Sequence, residues 1–151
     1  MDQPELLASA EAQLDHTQYK TVVTSRSHSI IADEPADLGG SDSGMTPYEL
    51  LLSSLSSCTA ITLQMYINRK MWIVDEIKIS QRLYRVDKDT TIIKTELNFK
   101  GELTAEQEKR LEQIARACPV HKILSGSVSI STATREPLRC SSACSCCVSD
   151  C

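Results

Sequence analysis

The sequence predicts one domain in which helices are mixed with antiparallel strands, and three stretches carry that expectation. Residues 47–70, PYELLLSSLSSCTAITLQMYINRK, contain no charge from Leu50 to Asn68 and place apolar side chains on every side of a 3.6-residue wheel. That pattern predicts a long helix buried all round. Residues 91–100 alternate Ile93, Thr95, Leu97 and Phe99 with Lys94, Glu96, Asn98 and Lys100, the period of a strand with one wet face. The stretch TAEQEKRLEQIARAC opens with the Thr104 to Gln107 spacing of a capping box. It then sets Leu111, Ile114, Ala115 and Cys118 at i, i+3, i+4 and i+7, an amphipathic helix with Cys118 facing inward.

In chain order, residues 1–17 read as a short helical lead. Tyr19 to Thr24 and His28 to Asp33 read as two strands around a turn at Ser25 to Ser27. DEPADLGGSDSGMTP, with two prolines and three glycines, is a loop delivering the chain to the long helix. Thr46 suits the N-cap of that helix, with Asp42 and Ser43 as further acceptors, Pro47 its first position, and Arg69 and Lys70 its negative end. The helix is long enough to cross a bilayer, but Ser53, Ser54, Ser56, Ser57, Thr59, Thr62 and Gln64 make it too polar for that environment. Ile73 to Val86 and Thr91 to Lys100 form a hairpin across Asp87 to Thr90. After Cys118, Pro119 forces its predecessor out of helical geometry. If PVHKIL begins a fresh turn, Cys118 becomes its N-cap, with free amides aimed at the sulfur. Ser127 to Thr134 reads as a last strand.

With 151 residues the chain is long enough for one domain with a real core. Its net charge of −4, with both signs interspersed, suggests neither a nucleic-acid partner nor an anionic membrane surface. The acidic start MDQPELLASAEAQLD has no positive region or apolar run of a signal peptide, so the expected location is the cytoplasm. Five of the seven cysteines fall in the last twelve residues, which leaves Cys58 and Cys118 alone in the body. In a reducing compartment two such thiols are chemical groups or small core hydrophobes, and spacing alone leaves both readings open. A thiol needs help to ionise, because apolar burial works against it. Cys58 shares its face with Leu51, Ser54, Leu55, Ile61, Thr62 and Met65, so help must come from elsewhere. Arg26, His28 and His121 are the candidates.

GGSDSGMTPYELLLSSLSSCTAITLQMYINRK, the later ACPVHKIL and the earlier ADEP closely resemble the OsmC/Ohr family of thiol-dependent proteins, in particular its OsmC-like branch. The likeness spans roughly Tyr19 to Thr134. It implies an α+β fold in which two long helices, the central one buried, are wrapped by antiparallel sheets in an intertwined homodimer. It also implies peroxidase activity on organic hydroperoxides and hydrogen peroxide. Cys58 would be the thiolate that is oxidised to a sulfenic acid, and Cys118 the thiol that resolves it to a disulfide, which an external dithiol reduces. No cofactor is required for that chemistry. In the family's hydroperoxide reductases a Glu directly after the helix-opening Pro holds an Arg against the sulfur. Here Tyr48 occupies that place and Glu49 follows one residue later. Glu49 lies about 180° from the face of Cys58 and Tyr48 about 80°, so Glu49 is a poor substitute and reads rather as a first-turn carboxylate favoured by the dipole; no Arg matches the family's activating one, and Arg26 is the nearest upstream candidate.

The resemblance fits a domain over residues 1–135 and ends before the cysteine-rich tail, residues 136–151. Cys140, Cys144, Cys146, Cys147 and Cys151 offer soft thiolates suited to Zn²⁺ or Cu(I), or a tail that exchanges disulfides. Two rivals to the peroxidase therefore stand: a thiol protein handling another small electrophile, sulfur species or metal, and a redox- or metal-sensing module acting through the tail.

Overall fold

A computed structural model describes residues 4–134. The elements in order are β1 (Glu11–Leu14), β2 (Thr21–Ser25), β3 (His28–Ala32), α1 (Pro47–Lys70), β4 (Val74–Arg85), β5 (Thr91–Gly101), α2 (Ala105–Ala115) and α3 (Pro119–Ser125), with a short 3-10 turn at Ala36–Leu38. The strands form two antiparallel sheets, one of β1, β2 and β3 in that order and one of β4 with β5. This is the expected α+β class.

Local sequence explains the ends of both main helices. Thr46 caps α1: its hydroxyl accepts the Glu49 N–H at 3.3 Å, and the Glu49 carboxylate accepts the Thr46 N–H at 2.8 Å. Pro47, which has no N–H to lose, takes the first turn. Met71 closes the helix in the left-handed region (φ 55°), just after Arg69 and Lys70. Thr104 and Gln107 repeat the reciprocal cap at the start of α2, at 3.2 and 2.8 Å.

The core forms where α1 crosses α2 above the hairpin. Leu63, Ile67 and Leu111 are fully buried with Tyr66 and Ala115, and Trp72, Ile77, Ile79, Leu97, Phe99 and Leu103 pack against them. Each of those three large aliphatic side chains contributes about 1.5–3 kcal/mol by leaving water. Trp72 meets Tyr66 edge to face, with ring centroids 5.6 Å apart.

Three expectations need correcting. Helix α1 is not enclosed by its own chain: α2, α3 and β4 pack on one side, burying Leu55, Thr59, Leu63, Tyr66 and Ile67. Leu51, Ile61 and Met65 on the other side stay exposed, because the chain supplies packing partners to one face only. The predicted helical lead contains strand β1 instead, since an isolated short helix is marginal in water while the edge of β2 offers ladder bonds from Thr21 to Thr24. Residues 127–134 form no strand. Their alternating Val128 and Ile130 are exposed and meet no sheet edge among the described residues.

The loop into α1 is held by a residue that the sequence reading passed over. Asp33 is 2% exposed, and its carboxylate accepts five hydrogen bonds, from the amides of Glu34, Ser41 and Ser43 and from the hydroxyls of Ser41 and Ser43. The Ser41 hydroxyl and the other donors hold its carboxyl well below the usual range. Ser43 thus serves Asp33 and not the cap of α1. At Gly44 a Cβ would stand 2.1 Å from the Ile31 carbonyl oxygen, so only glycine allows the loop to pass β3.

Helix α1 has the length and apolar composition of a bilayer span. Its polar side chains are nevertheless engaged within the fold. Ser56 donates to Gln81 of β4 at 2.8 Å, and the buried Thr59 hydroxyl bonds the Leu55 carbonyl.

Candidate active site

Pro119 organises the site. Cys118 before it takes an extended conformation (φ −63°, ψ 143°) and becomes the N-cap of α3, with Pro119 at the first helical position. The conditional expectation from the sequence therefore holds: the Cys118 sulfur accepts the His121 N–H at 3.2 Å. The amide contact that the cap makes is thus with Cys118.

The Cys118 sulfur lies 3.5 Å from the hydroxyl of Thr59, the residue that follows Cys58 in α1, and both cysteines are free. Cys58 approaches from the middle of α1 and is partly exposed, whereas Cys118 is fully buried. Burial pushes the Cys58 thiol above its ordinary value, and the adjacent Cys118 sulfur pushes it the same way; the Val120 amide and the Thr62 hydroxyl pull against them. Among the described residues, the strongest influences on Cys58 include no cationic side chain.

Two hollows border α1. Thr62, Met65, Tyr66 and Arg69 line a groove of about 400 Å³ with Ile114 and Ala117. A cavity of about 430 Å³ is bounded by Thr59, Gln81, Thr95, Glu112, Arg116 and His121, with apolar walls from Leu55, Ile93 and Leu97.

Of the residues singled out from sequence, the structure brings Cys58, Cys118 and His121 together. His121 takes part through its amide, and its side chain borders the second cavity. Glu49 is engaged in the cap of α1, where its carboxylate accepts from both the amide and the hydroxyl of Thr46. Tyr48 is exposed, and its hydroxyl accepts from Arg85 of β4 at 3.4 Å. Arg26, in the left-handed region at the β2–β3 turn (φ 55°), lines a separate hollow with Ser9, Ala10 and Glu11. His28 begins β3 and is exposed. The tail cysteines Cys140, Cys144, Cys146, Cys147 and Cys151 lie outside the described residues. Among the described residues no cluster of three or more His, Cys, Asp or Glu side chains could hold a metal ion.

Sequence reasoning missed Val120, Thr62 and Thr59. For Thr59 a signal was present: it is the polar member of the otherwise apolar i, i+4 row Leu55, Thr59, Leu63, and a polar residue buried in such a row needs a partner.

The family of OsmC-like proteins matches residues 40–133 of the chain. No curated protein matches it. Among solved structures, an OsmC-like protein of Mycoplasma pneumoniae is similar with a TM-score of 0.69 and 19% identity, covering 83% of this chain and 90% of the other. An organic hydroperoxide resistance protein of Legionella pneumophila gives a TM-score of 0.60 at 16% identity, over 82% and 93% of the two chains. One from Elizabethkingia anophelis, with thiocyanate bound, gives 0.62 at 19%, over 83% and 92%. At these identities the likeness establishes the fold. The family match over most of the chain's length, enclosing both body cysteines, completes the assignment: this protein belongs to the OsmC-like family.

Proposed function

We propose that the protein is a thiol-dependent peroxidase that reduces organic hydroperoxides or hydrogen peroxide through Cys58, with Cys118 as the resolving thiol. The observation that carries this reading is the Cys118 sulfur, held by the His121 N–H at the start of α3 and set against Thr59, next to Cys58 in α1. The Cys58 thiolate attacks one peroxide oxygen, the O–O bond breaks, and the alcohol or water leaves with a proton, giving Cys58 sulfenic acid. Cys118 then attacks that sulfur and water leaves. An external dithiol returns the pair to thiols. The accessibilities suit these roles, since the partly exposed sulfur meets the substrate and the buried one meets only its partner. The names of the Legionella and Elizabethkingia relatives support the same substrate class.

In this reading the working species is a homodimer in the cytoplasm. The open face of α1, with Leu51, Ile61 and Met65 on either side of the level of Cys58, and the exposed Val22, Ile30 and Ile31 of the β1–β3 sheet supply the apolar surface that a second copy would cover. A second reading, a thiol protein acting on another small electrophile or sulfur species, is favoured by one observation: burial pushes the Cys58 thiol above its ordinary value, which works against a ready peroxide nucleophile.

Stopped-flow oxidation of the reduced protein by cumene hydroperoxide and by hydrogen peroxide separates the two readings. Rapid turnover that is lost in Cys58→Ser, that stops at the sulfenic acid in Cys118→Ser and that survives in a chain ending at Thr134 supports the peroxidase. Oxidation at the same rate in Cys58→Ser, or no faster than that of a free thiol, sinks it. Loss of turnover on removing residues 135–151 would instead place the chemistry in the tail.

A further inference from the structure

We propose that Thr59 is the positioning residue of Cys118, a hydroxyl that turns from the Leu55 carbonyl to the Cys118 sulfur when that sulfur carries negative charge. The proposal rests on the assignment of Cys118 as the resolving thiol.

Thr59 is 3% exposed and Cys118 is fully buried, so bulk solvent competes little for either. The Thr59 Oγ1 stands 2.8 Å from the Leu55 carbonyl oxygen and 3.5 Å from the Cys118 Sγ. A hydroxyl has one proton to donate, and here it faces two acceptors. While Cys118 is a neutral thiol, its sulfur is a weak acceptor and the carbonyl keeps the proton. A thiolate reverses the preference, because a hydrogen bond to an ionised acceptor is roughly twice as strong as a neutral one. The turn costs little, since the Leu55 carbonyl lies inside α1, where the Thr59 amide four residues on remains its helical donor. The His121 N–H, the other donor to Cys118, is fixed by the backbone of α3 and cannot respond in this way. Thr59 is therefore the donor whose aim follows the charge.

Both halves of the cycle place an electron pair on Cys118. In the resolving step the Cys118 thiolate attacks the Cys58 sulfenic sulfur and the S–O bond breaks. The departing hydroxide takes a proton to become water, Cys118 is oxidised and Cys58 is reduced, each to the disulfide level. In the return step a thiolate of the dithiol reductant attacks the accessible Cys58 sulfur. The S–S bond breaks, its electron pair leaves on Cys118, and the Thr59 hydroxyl swings to meet it. The dithiol ends as a disulfide and the protein pair as thiols.

The test compares Thr59→Val, which keeps the shape and removes the proton, with Thr59→Ser, which keeps the proton, both in the full chain. The first readout is the pH dependence of the rate at which dithiothreitol opens the Cys58–Cys118 disulfide, followed by peptide mapping. Loss of one hydrogen bond to a charged leaving group slows the Val variant about threefold to tenfold, while the Ser variant stays within about twofold of wild type on the same scale. A Val variant as fast as wild type, or Val and Ser slowed alike, overturns the proposal. The second readout needs no disulfide. It is the Cys118 thiolate absorbance, taken as the difference between Cys58→Ser and Cys58→Ser/Cys118→Ser chains, with each Thr59 variant added. Its midpoint moves to higher pH with Val and not with Ser; an unmoved midpoint overturns the role of Thr59. A wild-type protein that forms no Cys58–Cys118 disulfide refutes the peroxidase reading on its own, and this second result then stands apart from it.

Discussion

Oxidation of the thiol pair should stabilise the fold by an amount that follows from its place in the chain. Positions 58 and 118 are sixty residues apart, and they bracket the last turns of α1, the whole β4–β5 hairpin and α2. Closing a loop of that length removes unfolded-state freedom worth about 4 kcal/mol in the chain-entropy account. The native state loses little in return, because Cys118 already packs against Thr59, next to Cys58 in α1, and its backbone is fixed as the N-cap of α3. For a domain of this size each kcal/mol moves the thermal midpoint by about 2–4 °C, so the oxidised protein should melt about 8–16 °C above the reduced one. The assay is thermal unfolding by circular dichroism after treatment with one equivalent of peroxide, with and without reductant, and with the Cys58–Cys118 link verified by peptide mapping. Cys58→Ser keeps every tail cysteine and so reports whatever shift the tail contributes by itself. The reasoning is refuted if a verified Cys58–Cys118 link leaves the midpoint unchanged, or if the same shift persists in Cys58→Ser.

Cys118→Ser removes a neighbour that pushes the Cys58 thiol upward, so the rise of Cys58 alkylation by iodoacetamide with pH should move to lower pH than in wild type; a move to higher pH contradicts the geometry. Leu63→Ala, at a fully buried position against Leu111 and Ile67, should cost about 2–5 kcal/mol in urea unfolding with little change in slope. Thr104→Ala deletes half of the α2 cap and should cost about 1 kcal/mol. Asp33 has its folded-state value depressed. It therefore stabilises the protein at pH values above the ordinary carboxylate range, and that stabilisation is lost as pH falls below about 4 toward the folded value. Between neutral pH and pH 3, the thermal midpoint of wild type should fall more steeply than that of Asp33→Asn, which begins lower.

Those features of the fold and site that rest on local chemistry were legible in the sequence. The Thr46 cap, the Thr104–Gln107 capping box, the alternation in residues 91–100 and the Cys118-Pro119 step each depend on residues near one another in the chain, and each appears in the structure where its pattern places it. What failed to show needed knowledge of partners. The apolar wheel of α1 indicates that both faces want cover but not that one chain covers only one of them. The alternating residues of 127–134 look like a strand, yet a strand exists only where an edge receives it. Of the site, the cysteines and His121 were marked by type and spacing. Thr62 and Val120 were not, because an ordinary hydroxyl and a backbone amide become part of a thiol site only after the chain has folded. Asp33 was hidden in the same way: five donors converge on it from a loop whose composition announces only that it turns.

The β1–β3 sheet makes its main contacts strand to strand, with Leu14, Val22, Ile30 and Ile31 open to water. Hydrogen exchange should therefore resolve this chain into two tiers. Amides of β1 to β3 exchange through cheap local openings, while those of Leu63, Ile67 and Leu111 wait for the whole domain to open. Dilution sharpens the contrast: any protection of the first tier that depends on a covering molecule fades as protein concentration falls, and the second tier keeps its slow clock.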